Sequence, residues 1–185
     1  MRAVLAAIAA GALNAEARIL ICNTRGCAAI AAAQQAGLPW RHISGATEGG
    51  PEAADRAIAE ALTEAGADLV VLSGYMRQLG PETLGRFGGR ILNIHPALLP
   101  RHGGQGLYGR RVHEAVRASG DKVTGATVHL VDSDYDTGPV IAQASAPVWP
   151  GDTVDDIEAR VRALEPGLLV ETLRRIATGD LILPT

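Results

Sequence analysis

Two polar side chains follow a short apolar segment in the middle of the chain. The segment Gly89–Leu92 leads into Asn93 and His95, and Pro96 comes next. Alternate residues of a β-strand project to the same side, so Asn93 and His95 are predicted to share one face. Pro96 cannot continue a central strand, which places the pair at a strand end, where open α/β sheets form their ligand crevice. An amide that donates to an oxyanion, beside an imidazole that carries a proton, suits chemistry at a carbonyl.

A second polar group lies in an acidic turn. Two β-rich segments within Val123–Pro147 flank the sequence Ser-Asp-Tyr-Asp-Thr-Gly, which is typical of a β-hairpin. This turn brings Asp132, Asp134 and Asp136 close together. A carboxylate near the His95 imidazole would orient the ring and hold a water molecule. The alternative is that the amide and imidazole only cap the end of a strand before a proline turn.

These motifs, taken in order, resemble those of the folate-dependent formyltransferases. The resemblance rests on Asn93-Ile94-His95-Pro96, the Leu98-Leu99-Pro100 that follows, Thr127-Val128-His129 and Asp136-Thr137-Gly138. It covers most of the chain and is densest from about Asp68 to Glu165. It implies the branch of the family that moves a formyl group from 10-formyltetrahydrofolate to the primary amine of glycinamide ribonucleotide in purine biosynthesis.

The resemblance also implies roles for individual residues. Asn93 and His95 would hold the oxyanion, and Asp136 would orient His95 and a water that relays a proton. The folate would contact Met76, Arg77, Gln78, Leu79, Asp134 and Tyr135. The ribonucleotide would contact Gly74, Arg162 and Glu165. No metal is implied, and His113 and His129 are interpreted as structural or peripheral.

Strands and helices alternate in the first half of the chain. Helices are predicted at 2–11, 25–36 and 51–65, strands at 17–22, 40–43 and 68–72, and a loop at 45–50. This pattern predicts a single-domain α/β fold, with an open, mostly parallel sheet and helices on both faces. A C-terminal β-hairpin and a long helix complete it. That helix is expected to start at a capping box near Thr153 and to kink or break at Pro166.

The resemblance implies that the family starts with a strand and a glycine-containing turn that holds the substrate phosphate. Met1 falls inside the family's first helix, so residues 1–185 are interpreted as one formyltransferase domain shortened at its N-terminus, with a natural start expected upstream. The sheet is then expected to lack a central strand and to leave neighbouring backbone groups unpaired. Substrate binding would lose charge-assisted hydrogen bonds to the phosphate.

The composition limits the kinds of molecule that the protein is expected to bind. The net charge of −3 gives no general attraction to nucleic acid, and no apolar run is long enough to predict a membrane span. Cys22 and Cys27 lack a metal-site pattern, so two reduced thiols are expected in a cytoplasmic protein. The predicted partners are small molecules, and the protein is expected to be a monomer or a homodimer.

Three other functions share these motifs. Water in place of the amine would give a formyltetrahydrofolate hydrolase. An amino-sugar nucleotide in place of glycinamide ribonucleotide would give a different formyltransferase. A truncated, non-catalytic paralogue that still binds folate is the third alternative, because loss of the phosphate-binding turn would weaken substrate binding while Asn93, His95 and Asp136 stay in place.

Overall fold

The computed structural model describes residues 1–184, which form an α/β fold. The helices are α1 (Arg2–Ala9), α2 (Ala28–Gln35), α3 (Gly45–Glu48), α4 (Pro51–Glu64), α5 (Pro81–Phe87), α6 (Arg110–Ser119) and α7 (Val154–Ala177). The strands are β1 (Leu20–Cys22), β2 (Trp40–His42), β3 (Val70–Leu72), β4 (Ile91–His95), β5 (Val123–Leu130) and β6 (Val140–Pro147). The predicted α/β class, the β-hairpin and the long C-terminal helix are confirmed. None of the described helices is both long and apolar enough to cross a membrane.

The strands form two sheets. β1 pairs in parallel with β2, and four strands pair in the order β3-β4-β5-β6. β3 and β4 are parallel, whereas β4, β5 and β6 pair antiparallel. The register of β4 on β5 sets Asn93 opposite His129 and His95 opposite Thr127. The predicted polar pair therefore faces polar residues of a strand that is distant in sequence.

Helices cover both faces of the larger sheet. Successive side chains of β4 point in opposite directions, so neighbouring residues of this strand pack against different helices. Ile91 packs with Ile58 of α4 and Phe87 of α5 on one face. Leu92 packs with Leu169 of α7 on the other. Full burial of such a side chain contributes about 1.5–3 kcal/mol, so the two layers fix the position of β4 firmly.

A gap separates the two sheets. Within residues 1–184, β1 and β3 each pair with a neighbour on one side only. A cavity of about 740 Å³ lies between them, lined by both strands, by Val4 and Ile8 of α1 and by Leu173 of α7. The prediction that two strand edges are left unpaired is confirmed.

Two local predictions were wrong near the two-stranded sheet of β1 and β2. The expected loop at 45–50 contains α3, because Ser44 and Thr47 form a capping box in which each side chain accepts from the other's backbone N–H. Cys22 at the end of β1 and Cys27 before α2 are joined as a disulfide, not present as two free thiols. The short turn between them returns the chain to the strand end, which their sequence spacing alone did not reveal.

The long helix differs from the prediction in one respect. Its start at Thr153 with Asp156 is the predicted capping box. A kink or a break was predicted at Pro166; the helix does not break there, and α7 continues to Ala177. Pro166 has no N–H to donate, but Val161 before it and Leu169 after it are both buried, and this packing holds the two halves in one helix.

Candidate active site

β4 ends at His95, and the turn that follows is tied to β5. Thr127 Oγ1 donates to the carbonyl of Ala97 at 2.6 Å and accepts from the N–H of Leu99 at 3.0 Å. Gln143 Nε2 donates to the Leu99 carbonyl at 3.0 Å and to Thr127 Oγ1 at 2.9 Å. Each such bond contributes about 1 kcal/mol, and leaving a buried partner unpaired costs more. Together they fix the backbone that aims His95.

Hydrogen bonding holds the His95 imidazole in one tautomer. Nε2 lies 2.8 Å from the carbonyl oxygen of His102, and a carbonyl only accepts, so Nε2 carries the hydrogen. Nδ1 is therefore the nitrogen that gains or loses a proton, and it lies 3.4 Å from Asp136 Oδ2. Burial lowers the pKa of His95 below its ordinary 6.5, which outweighs the opposing effect of Asp136. His95 is thus mainly neutral at pH 7 and able to accept a proton.

Asp136 stands between two imidazoles. Oδ1 lies 3.5 Å from His129 Nε2, Oδ2 lies 3.4 Å from His95 Nδ1, and the Gly104 N–H donates to Oδ2 at 3.0 Å. Burial acts to raise the pKa of Asp136, but the His129 and His95 rings and the Gly104 N–H outweigh it, so this pKa is lowered. The site therefore holds a carboxylate that stays charged at neutral pH.

His129 lies within this cluster. Its Nδ1 is 2.8 Å from the Leu130 carbonyl, and its Nε2 is 3.1 Å from Asn93 Nδ2. The sequence interpretation of His129 was structural or peripheral, and the structure places its ring beside Asn93 and Asp136. The alternation in Thr127-Val128-His129 could have shown that residues 127 and 129 share a face. The sequence could not show that this face meets Asn93 and His95, because that depends on a long-range strand pairing.

All twelve residues assigned from the sequence line one cavity of about 630 Å³. They are Gly74, Met76, Arg77, Gln78, Leu79, Asn93, His95, Asp134, Tyr135, Asp136, Arg162 and Glu165. This volume is within the range of small-molecule sites. The structure thus brings the predicted residues together, whereas the role of each in binding or catalysis is a proposal.

The loop after β3 and the hairpin turn form one part of the cavity lining. The Gln78 side chain donates to the Ser133 carbonyl, which joins the two segments. Met76 and Tyr135 are 53% and 38% exposed and so present apolar surface to the cavity. Leu79 is buried in the core beneath them. Apolar surface beside a polar centre suits a flat heterocycle.

Helices α6 and α7 contribute another part of the lining. Arg162 is exposed and pairs with Glu158 at 2.7 Å. Burial raises the pKa of Glu165 above its ordinary 4.5, and the charge of Arg162 reduces this effect. His113 was also missed as a site residue: it is buried against the cavity, and its Nδ1 has no hydrogen-bond partner among residues 1–184.

The polar side chains at the centre of this site carry amide, imidazole and carboxylate groups. Across the described residues, no three His, Cys, Asp or Glu side chains are grouped so that they could hold a metal ion. The arrangement offers a hydrogen-bond donor from Asn93 and a titratable nitrogen of His95 beside one charged carboxylate. Such a set can stabilise negative charge on an oxygen and move a proton.

The chain matches one protein family and is similar in sequence to known proteins. A family model described as "Formyl transferase" matches residues 1–173. The chain is 37% identical over 167 residues to the chloroplastic phosphoribosylglycinamide formyltransferase of Arabidopsis thaliana, covering 90% of this chain and 57% of that protein. It is 45% identical over 154 residues to phosphoribosylglycinamide formyltransferase of Mycobacterium tuberculosis, covering 83% and 69%.

A solved structure matches almost the whole chain. Glycinamide ribonucleotide transformylase 1 from Symbiobacterium toebii superposes with a TM-score of 0.91 at 36% identity, covering 99% of this chain and 84% of that one. The chain spans little more than half the length of the Arabidopsis relative, at 57%.

Proposed function

Because the chain belongs to the formyl transferase family, we propose that it transfers a formyl group from 10-formyltetrahydrofolate to the primary amine of glycinamide ribonucleotide, a step of purine biosynthesis. The names of the Arabidopsis and Mycobacterium relatives support this acceptor. The observation that carries the reaction class is the cluster of Asn93, His95 and Asp136 at a strand end within the cavity.

Asn93 and His95 are assigned to the formyl oxygen. Attack of the amine on the formyl carbon places negative charge on this oxygen. Asn93 Nδ2 directs one hydrogen to His129 and has a second to donate to the oxygen. His95 Nδ1, once protonated, is another donor, while Nε2 stays on the His102 carbonyl. A donor that is fixed before the reaction contributes about 2.7–4 kcal/mol to the stability of such a transition state.

Asp136 is assigned to proton transfer. The attacking nitrogen must lose a proton, and the folate nitrogen must gain one as the bond from the formyl carbon to that nitrogen breaks. The anionic Asp136 raises the proton affinity of His95 and can hold the water that relays this proton. The new carbon–nitrogen bond forms on the acceptor directly, so no covalent bond to the protein is needed.

The two substrates are assigned to different parts of the lining. Folate contacts are proposed for the six residues of the β3 loop and the hairpin turn, namely Met76, Arg77, Gln78, Leu79, Asp134 and Tyr135. Acceptor contacts are proposed for Gly74, Arg162 and Glu165. The exposed apolar side chains on the first side, and the charged groups on the second, support this division.

The proposal also covers the domain organisation, the location and the oligomeric state of the protein. We propose that residues 1–185 act as a single formyltransferase domain on small molecules, in the cytoplasm, as a monomer or a homodimer. Size-exclusion chromatography with light scattering measures the oligomeric state directly, and a larger assembly would contradict that part of the proposal.

Release of tetrahydrofolate from 10-formyltetrahydrofolate by the purified protein tests the function. Release is expected to require glycinamide ribonucleotide and to fall by about a hundredfold or more in His95→Ala. His42→Ala on β2, outside the cavity, is the control and should keep the wild-type rate. Release without any amine would contradict the proposal and indicate a hydrolase. Release only with an amino-sugar nucleotide would assign that acceptor, and a folded protein that releases none would exclude a catalytic role.

A further inference from the structure

The amide of Asn93 has a specific partner on the neighbouring strand. Asn93 and His129 are directly opposed in the register of β4 and β5. His129 is 2% exposed, so its ring is shielded from bulk water. Its two nitrogens are both engaged, one by the Leu130 carbonyl and one by Asn93 Nδ2. Buried polar groups are normally hydrogen-bonded, so the groups in contact with this ring must match its donor and its acceptor.

The Leu130 carbonyl decides the direction of the bond to Asn93. A carbonyl only accepts, so His129 Nδ1, at 2.8 Å from it, must carry the hydrogen. In the neutral ring, Nε2 then has only a lone pair to offer. Asn93 must therefore present its Nδ2 hydrogen and not its Oδ1, because a reversed amide would set two acceptors against each other at 3.1 Å.

Asp136 is the charged group that also faces this nitrogen. Asp136 Oδ1 lies 3.5 Å from His129 Nε2, beyond the 3.1 Å that separates Nε2 from Asn93 Nδ2. Of the two groups that face Nε2, the amide nitrogen of Asn93 is therefore the nearer partner, and the other oxygen of Asp136 faces His95.

We propose that His129 is a positioning residue for formyl transfer, which fixes the amide of Asn93 so that its second N–H points at the formyl oxygen. The inference rests on the proposed function. His129 acts only through Asn93 and does not itself touch the substrate. A histidine that merely fills the core would instead affect the protein independently of Asn93.

A double-mutant cycle separates these two roles. His129→Ala should lower kcat by about tenfold or more, equal to about 1.4 kcal/mol, with little change in KM for either substrate. His129→Gln, whose side-chain oxygen can accept from Asn93, should recover part of the loss. In an Asn93→Ala background, His129→Ala should change kcat by less than about twofold, because the group that His129 orients is gone.

The controls make each outcome decisive. Thr124→Val, in the buried part of the same strand, should leave kcat unchanged, and melting temperatures show whether each variant folds. If wild type is active and the effects of Asn93→Ala and His129→Ala multiply, the inference is overturned. If wild type is inactive, the proposed function fails instead.

Nitrogen NMR of the wild-type imidazoles is a second test that does not depend on the variants. A hydrogen on His129 Nδ1 supports the inference, and one on Nε2 overturns it.

Discussion

The imidazole of His95 and the carboxylate of Asp136 approach to 3.4 Å, between Nδ1 and Oδ2, although one ends a buried strand and the other lies in a hairpin turn. The His102 carbonyl occupies the other ring nitrogen. All proton exchange at His95 therefore passes through the nitrogen that faces Asp136. This relationship makes Asp136 the residue whose charge most directly governs the chemistry of His95.

Replacing Asp136 with asparagine tests that dependence. The change removes the negative charge beside Nδ1 with little change in shape, so the pKa of His95 should fall further. Turnover should decrease by about a hundredfold or more, as expected for loss of general acid–base catalysis. Folate binding, measured at equilibrium, should be largely retained. Asp68→Asn, an exposed carboxylate outside this cavity, is the charge control, and wild-type turnover in Asp136→Asn would remove Asp136 from the mechanism.

Stability should depend on pH because of the buried histidines. Burial lowers the pKa of both His95 and His113 from the ordinary 6.5. The unfolded chain then binds more protons below that value, so this contribution is complete above pH 6.5 and is lost as pH falls through the lower folded pKa. Glu165 acts in the opposite direction, because its pKa is raised from 4.5.

Urea unfolding at about pH 7.5 and about pH 5.5 measures this effect. Wild type should lose more unfolding free energy on acidification than a variant that carries His95→Asn and His113→Asn. Glu165 is present in both proteins, so its contribution cancels in the comparison. Equal losses in the two proteins would show that the two histidines are not protected from protonation by the fold.

Asp55 should be a major determinant of stability near the loop that follows β3. This buried carboxylate accepts from the backbone N–H groups of Gly80, Glu82 and Thr83 at 3.1, 2.8 and 3.3 Å, and from Thr83 Oγ1 at 2.6 Å. It therefore caps α5 from another helix. Asp55→Ala should cost about 3 kcal/mol of unfolding free energy, because several donors lose their acceptor.

Glu52→Ala is the matched control for Asp55→Ala. Glu52 lies on the same helix but is exposed, so its removal should change the unfolding free energy by less than about 0.5 kcal/mol. Urea denaturation of the three proteins gives the comparison. A cost for Asp55→Ala as small as that for Glu52→Ala would show that the cap does not contribute.

The sequence predicted which residues meet in the cavity better than it predicted their packing. The alternation of a strand placed Asn93 and His95 on one face, and the resemblance to the formyltransferases singled out Asp136 in the acidic turn. His129 and Thr127 were not, since their importance depends on the pairing of β5 with β4, which no local pattern encodes. Pro166 shows the same limit: local propensity predicted a kink or a break, but burial on both sides of the proline keeps α7 continuous.

Extension of the chain before Met1 tests whether the gap between β1 and β3 can accept a further strand. Met1 itself lines this cavity, so residues added before it start within the cavity lining. A short valine-rich segment placed there should pair with both strand edges, and each buried valine contributes about 1.5–3 kcal/mol. The melting temperature should rise by about 5 °C or more. An aspartate- and glycine-rich segment of equal length is the control, and equal melting temperatures would contradict a strand-accepting gap.

Transfer of a labelled formyl carbon tests the central claim most directly. The protein is incubated with 10-formyltetrahydrofolate labelled with ¹³C in the formyl group and with glycinamide ribonucleotide, and the ribonucleotide is analysed by mass spectrometry. Labelled formylglycinamide ribonucleotide should form in proportion to the tetrahydrofolate released, and Asn93→Ala should slow both equally, by about a hundredfold. Label recovered as free formate, with the ribonucleotide unchanged, would contradict formyl transfer to this amine.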